Sequence, residues 1–425
     1  MQPCRWRARV THKDKLDTLP GIALPEFLST PRPNGNRALE RAVGEVEARL
    51  EGLGVAVQSH HFTLRPYSME LLGLWLVLSG ILLPLAALLR WGWVGLVLAL
   101  LMVAVPLLEV RILRPTITAL VRRPARNLVA RFSPARPNQE LILCAHLDSK
   151  TELLDHYQRR VLVRLSVPAI ALVLISGILI TLERLLPAGI ARQVVYWLAF
   201  LSALPGTAYG LGMGANLVGG RFSRWPSSGA VDNGAAVAVL LELAGRLQRG
   251  SLSLNRTAVT LLFTVGEEAQ MQGALSYVGD TCAKEQADTS MPACAVNLEV
   301  LGQNGGYLLW ERDGTAMVSL PADAALNSAL ARAVEAVTGE PPLRAPQVNS
   351  DAFAFLRAGI PAATLGGYDR DLGGRGLHSA LDSASRVDPA RLVEAADVLC
   401  YFLDKLDTAG SVSGSEASPS LARSE

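Results

Sequence analysis

The stretch Leu141-Ile-Leu-Cys-Ala-His-Leu-Asp148 sets five apolar residues directly before an imidazole and a carboxylate. A short apolar run of this kind fits a strand buried on both faces, and side chains two apart on a strand point the same way. His146 and Asp148 therefore leave its carboxyl end together. Two further runs end alike: 258–264 leads into Val265-Gly-Glu-Glu268, and 295–300 carries Asn297-Leu-Glu299. Around them, helix-like segments at 38–50, 234–247, 322–337 and 389–406 alternate with strand-like ones at 55–64, 127–132, 141–145, 258–264, 295–300 and 362–365. Such alternation predicts an α/β fold with a mostly parallel central sheet flanked by helices, in which sites form beyond the carboxyl ends of strands.

Half of the 425 residues are apolar, and 40 Lys and Arg nearly balance 38 Asp and Glu, for a formal net charge of +2. The arginines gather beside apolar runs and leave no free basic face, so a nucleic-acid partner is not expected. Four runs, 71–89, 93–108, 165–182 and 194–213, each approach the ~20 residues that cross a bilayer core as helix. They pair into two transmembrane hairpins, one turned by Arg90-Trp-Gly92 and the other by 183–193 with Pro187 and Gly189. Trp91, Trp93, Tyr196 and Trp197 stand at run ends, where interfacial aromatics belong. Gly210-Leu-Gly-Met-Gly214 lacks the preceding strand of a nucleotide loop and reads as helix packing.

The turns carry Arg90, Arg184 and Arg192, whereas the opposite side carries Arg65, Arg111, Arg114, Arg122, Arg123, Arg159, Arg160, Arg164, Arg221 and Arg224. The positive-inside rule assigns that richer side to the cytoplasm. The first strongly apolar run begins near Leu71, beyond the length of a cleaved leader, so a retained cytoplasmic N-terminus is expected. Each hairpin returns the chain to the side it left. Residues 1–68, 112–160 and 221–407 are thus expected to form one discontinuous domain, with hairpins at 69–111 and 161–220 and a disordered, Ser- and Gly-rich tail at 408–425. The expectation is a multi-pass protein of an inner or plasma membrane, with the lipid bilayer as one partner. Cys4, Cys144, Cys282, Cys294 and Cys400 show no Cys-x-x-Cys spacing and read as free thiols.

Two more polar positions complete a constellation: Asp232 in Val231-Asp-Asn-Gly234, at a loop-to-helix junction, and His378 in the Gly-rich Gly376-Leu-His-Ser379. Singly each is a weak signal, because charged loop residues are usually only solvated. A two-metal hydrolytic site needs a bridging carboxylate, a His and a further carboxylate for each ion, and a separate base. His146, His378, Asp232, Glu268 and Glu299 fill that list, and Glu267 is left as the base.

In order and context, Ala145-His-Leu-Asp-Ser149, Gly229-Ala-Val-Asp-Asn233, Val265-Gly-Glu-Glu268, Ser350-Asp351, Gly359-Ile-Pro361 and His378-Ser379 resemble the zinc aminopeptidases of metallopeptidase family 28. That family includes leucyl aminopeptidases and, as divergent relatives, glutaminyl cyclases. The resemblance covers roughly 38–64, 126–150 and 226–406. It implies a zinc-exopeptidase fold and two zinc ions, with one ion as the lesser case. Asp232 would bridge, His146 and Glu299 would complete one site, and Glu268 and His378 the other. Glu267 would be the general acid/base, and Asp148 would hold the ring of His146 and fix its tautomer. The implied function is a membrane-embedded exopeptidase that removes N-terminal residues from a peptide substrate through a metal-activated water.

Two positions depart from the family pattern. It usually has Asp where Glu299 stands, and its Ser-Asp-His is here Ser350-Asp351-Ala352, which would remove a polar group near the substrate pocket. A glutaminyl cyclase-like aminoacyltransferase is the enzyme alternative, suggested by Lys150 after His146-Leu-Asp-Ser149; a non-catalytic membrane scaffold is the other. Between His146 and Asp232 the chain crosses the bilayer twice, so the rim of the site is expected at the cytoplasmic membrane surface, with Lys150, Arg159, Arg160, Arg221 and Arg224 facing lipid headgroups. His12, His60, His61 and His156 read as surface residues.

Overall fold

The structure, a computed structural model, describes residues 25–112, 118, 120–285, 291–315 and 317–409. In chain order its strands are β1 (Val57–Leu64), β2 (Arg123–Phe132), β3 (Gln139–His146), β4 (Thr257–Thr264), β5 (Ala293–Glu299), β6 (Tyr307–Trp310), β7 (Arg312–Gly314), β8 (Ser319–Pro321), β9 (Leu343–Ala345) and β10 (Ala362–Gly367). Eight of them form one sheet in the order β1-β2-β4-β3-β5-β10-β6-β9, while β7 and β8 pair separately. β4, β3, β5 and β10 run parallel at its centre, and β1 and β2 close one edge antiparallel. Every residue of β3 and β4 is buried, which explains why these strands are unbroken apolar runs without a polar alternation.

The helices are α1 (Pro25–Ser29), α2 (Arg37–Gly52), α3 (Ser68–Leu88), α4 (Trp93–Ile112), α5 (His156–Leu185), α6 (Ile190–Gly219), α7 (Ala235–Gln248), α8 (Gln272–Glu285), α9 (Ala324–Thr338), α10 (Ala352–Arg357) and α11 (Pro389–Ala409). On one face of the sheet α2, α7, α9 and α11 pack around Leu141, Leu143 and Leu261. On the other, α8 and α10 cover Ile142, Cys144 and Leu262. α2 illustrates the local logic: Asn36 caps its first turn by accepting from Ala38 N at 3.1 Å, and Leu39, Ala42, Val43, Val46 and Leu50 form its buried stripe.

α3 to α6 form a four-helix bundle, and all four are long and apolar enough to cross a membrane. Their outward faces expose Leu74, Leu78, Ile81, Leu100, Ile175 and Ile178, whereas small residues line the seams between them. The Gly210–Gly214 segment packs against α3 as expected: a Cβ at Gly214 would lie 2.5 Å from the Gly73 carbonyl oxygen. At the turn end Glu183 is buried between Arg192 Nε at 2.6 Å and Arg90 Nη1 at 3.4 Å, joining the two hairpins.

The second hairpin is longer than its apolar runs. α5 begins at His156, nine residues before the run at 165, because Asp155 and Gln158 form a capping box that starts a helix in polar sequence. At 1.5 Å per residue those nine residues carry α5 about 14 Å past the apolar stretch, into the sheet domain. At the other end of the chain α11 runs to Ala409, two residues into the expected tail, and the rest of that tail, like Cys4 and His12, lies outside the described residues. Cys144, Cys294 and Cys400 are free.

Candidate active site

The ligand positions named from the sequence come together at the carboxyl ends of the parallel strands. His146 is the last residue of β3 and Glu299 the last of β5; Glu267 and Glu268 follow β4, and His378 lies in the loop after β10. Asp232 sits just before α7, in a segment whose Asp232–Asn233 peptide is cis. Asp232 places one oxygen toward each imidazole: Oδ1 is 3.2 Å from His146 Nε2, and Oδ2 is 3.2 Å from His378 Nε2. Glu299 Oε2 lies 3.7 Å from His146 Nε2, and Glu268 Oε1 lies 2.8 Å from His378 Nε2.

Two groups able to hold a metal result, His146 with Asp232 and Glu299, and Asp232 with Glu268 and His378, the ligand atoms of each within 4.8 Å of one another. Asp232 belongs to both. Glu268 Oε1 is buried and close to His378 yet makes no hydrogen bond among the described residues, which is the arrangement of two metal-ligating atoms aimed at a shared point. Imidazoles and carboxylates of this kind suit zinc. Extending the side chain from Asp to Glu at 299 is accommodated by Asn297 Nδ2, which donates to Glu299 Oε1 at 3.0 Å and holds it back.

Glu267 stays out of both groups, with Oε2 3.9 Å from His146 Nε2. Burial pushes its carboxyl well above the ordinary range, and the negative charges of Glu268 and Glu299 add to this against the pull of His146. Burial likewise raises Glu299. A buried carboxyl beside the candidate metal groups, with affinity for a proton raised in this way, has the character of a general base.

Asp148 acts differently from the expectation. His146 Nδ1 bonds the main-chain oxygen of Asp148 at 2.9 Å, while the carboxylate is 3.8 Å from the ring. That carboxylate accepts from Gly266 N at 2.8 Å, Glu267 N at 3.2 Å, Glu268 N at 3.0 Å and Asn34 Nδ2 at 2.7 Å. Gly266, at φ +85°, turns the chain out of β4 so that these successive N–H groups converge, a geometry that a side chain at 266 would strain. Asp148 thus fixes His146 with its backbone and the Glu267–Glu268 turn with its side chain.

Sequence reasoning missed the braces around these residues. Arg32 is wholly buried and donates to the carbonyl oxygens of Phe27, Thr30, Leu147, Ser228 and Gly229, tying the end of β3 to the Asp232 segment. Burial lowers its guanidinium to about 10, and nearby Asp382 and Asp148 oppose the shift. Asp382 accepts from Val231 N at 2.8 Å, and Asn233 bonds both Leu298 O and Val300 N, locking Asp232 against β5.

Several expectations need correction. Ala352, the first residue of α10, is fully buried in the apolar cluster of Ile142, Cys144 and Leu262. Lys150 and Arg159 do not face headgroups: both donate to the buried Glu152, at 2.8 and 2.5 Å. Arg160, Arg221 and Arg224 are exposed. His156 is no isolated surface group, because its ring stands edge-on to His378 with centroids 6.2 Å apart, and His60 bonds Asp280 at 2.9 Å. A cavity of about 170 Å³ opens beside Glu268 and Lys150 and reaches Met69 and Glu70 of α3 and Leu217 and Arg221 at the foot of α6. Residues at the feet of α3 and α6 therefore line the cavity beside Glu268.

Compared with known proteins, residues 213–403 match the model described as Peptidase family M28. Among functionally curated proteins none matches the chain in sequence. Similar solved structures include a glutaminyl cyclase of Fimbriiglobus ruber, 15% identical, TM-score 0.54, covering 95% of this chain and 99% of that one. A glutaminyl cyclase of Bacteroides thetaiotaomicron bound to N-acetylhistamine is 13% identical, TM-score 0.50, with 91% and 96% covered. A leucine aminopeptidase precursor from Bacteroides thetaiotaomicron VPI-5482 is 13% identical, TM-score 0.49, with 91% and 96% covered. At these identities the likeness to the two glutaminyl cyclases is one of fold. Residues 213–403 are thus similar to Peptidase family M28, in a chain that also has four helices long and apolar enough to cross a membrane.

Proposed function

We propose that this protein is a membrane-embedded, zinc-dependent exopeptidase that removes N-terminal residues from peptides at the membrane surface. The observation that carries the reading is the pair of His–carboxylate groups sharing Asp232, with the buried Glu267 beside them and uncommitted. His146, Asp232 and Glu299 would hold one zinc, and Asp232, Glu268 and His378 the other. When bound, zinc supplies Lewis acidity that acidifies water and polarises a carbonyl. Glu267 takes a proton at Oε2 from the attacking water and returns it to the leaving amine. Asp148 holds the Gly266–Glu267 backbone that carries that carboxylate, and burial keeps bulk water from competing for the proton.

The surface location rests on the foot of the hairpins. Phe222 and Trp225 are 78% and 75% exposed there, beside Arg221 and Arg224, an aromatic and basic rim of the kind that settles at headgroups. The cavity next to Glu268 opens at this level. Substrates confined to the membrane surface are then enriched relative to those in bulk solution. A reconstituted enzyme is expected to cleave an acylated, membrane-partitioning peptide with a higher kcat/KM than its soluble counterpart. Equal efficiency for the two, retained when the second hairpin is replaced by a short Gly/Ser loop in a folded protein, defeats the surface specificity. Ammonia release from N-terminal glutaminyl peptides without hydrolysis would point instead to cyclisation.

Orientation follows from the arginine asymmetry. A cysteine introduced after Asp407 is expected to react with an impermeant thiol reagent only from the cytoplasmic side, and one at Pro187 only from the opposite side. Labelling of the tail from outside intact cells reverses the topology.

A further inference from the structure

We infer that Glu152 is a positioning residue through which the second hairpin holds the His378 half of the metal centre. The inference rests on the reading of His378 as a metal ligand and adds a residue from the segment leading into α5, ahead of the stretch that matches the family model.

The Glu152 side chain is fully buried, and both helices of the hairpin converge on it. Arg159 Nη1 of α5 donates to Oε1 at 2.5 Å, and Asn216 Nδ2 of α6 donates to Oε2 at 2.9 Å. Asn216 Oδ1 also accepts from Leu154 N at 2.7 Å, so the approach of α6 is set by the same few residues. Lys150 Nζ supplies a second cation at 2.8 Å. Two cations and an amide compensate the burial of one carboxylate, which unpaired would be strongly unfavourable.

The same carboxylate faces the ring of His378. His378 Nε2 is turned toward Asp232 and Glu268, leaving Nδ1 on the far side, buried and without a hydrogen-bond partner among the described residues. Glu152 Oε1 stands 3.7 Å from that nitrogen. When Nε2 is a ligand, Nδ1 carries the ring proton, and a carboxylate on that side orients the ring and raises its basicity. Two backbone bonds and one side-chain bond repeat the link. Glu152 N donates to His378 O at 2.9 Å, His156 N donates to Leu377 O at 3.3 Å, and Asp155 Oδ2, while its Oδ1 caps α5, accepts from Gly376 N at 3.1 Å. The loop that presents His378 is thus fastened to the first turn of α5, and the hairpin is part of the site's framework as well as an anchor.

The test is a Zn²⁺ titration of the metal-free, detergent-purified full chain against a chromophoric chelator, which reads metal affinity independently of turnover. Glu152→Gln is expected to weaken one of two sites by ~10–100-fold, the usual cost of losing such a partner, and leave the other as in the parent. Asn216→Ala, which touches Glu152 but not His378, is expected to weaken the same site by a smaller factor, and carries the test if Glu152→Gln fails to fold. In a His378→Ala background neither change is expected to lower affinity further. Unchanged affinity in a folded Glu152→Gln or Asn216→Ala protein, equal weakening of both sites, or a full additional loss in the His378→Ala background overturns the inference while leaving the peptidase reading intact. A parent protein that binds no zinc overturns both.

Discussion

Glu267→Gln is expected to lower peptide turnover by ~10²–10⁴-fold, the range typical of removing a general base, while bound zinc stays nearly unchanged. Glutamine has the size and hydrogen-bonding reach of glutamate but cannot accept the proton that an attacking water must lose. Glu267 lies outside both candidate metal groups, and its backbone N–H is held by Asp148 whatever its side chain, so the turn should survive the change. Stoichiometric zinc with turnover lost separates a base from a ligand. A Gln variant that retains near-parental turnover removes Glu267 from the mechanism.

The second large effect concerns the shared carboxylate. Asp232→Ala is expected to deplete zinc at both sites, by more than the ~10–100-fold affinity loss that follows removal of an outer partner, whereas Glu299→Ala affects one site. The geometry behind the asymmetry is that Asp232 offers Oδ1 on the His146 side and Oδ2 on the His378 side, each at 3.2 Å, whereas Glu299 approaches only His146. Its loss also leaves two buried imidazoles facing each other without the anion between them. Metal analysis of the purified variants reads the difference directly. Equal zinc content in Asp232→Ala, Glu299→Ala and the parent contradicts the assignment.

The centre of the fold was legible because candidate ligands end apolar runs: β3 and β4 are buried throughout and β5 over its last five residues, so their sequence is a strong signal that stops where the candidate ligands begin. α8, α10, β6 and β9 were not foreseen. β9 is three residues long with two of them exposed, and α10 has six residues, so neither carries a periodic pattern to read. The first turns of α5 escaped for a related reason, since 156–160 is polar and its helix is started by a capping box rather than an apolar stripe. The candidate metal-ligand positions were visible through short motifs, but their braces were not. Arg32 meets Leu147, and Glu152 meets Asn216 and His378, across separations that no local pattern encodes. Asp148 shows a subtler limit: His-x-Asp spacing places the two side chains on one side of a strand, yet the carboxylate finds stronger partners in the turn after β4.

The most direct measurement of the central claim is the release of free N-terminal amino acid from a panel of unblocked peptides by the detergent-purified protein, before and after zinc is removed and restored. Release is expected to disappear on chelation, to return with zinc, and to be absent for N-terminally blocked peptides. A protein that holds zinc stoichiometrically and releases no amino acid from any member of the panel would contradict it.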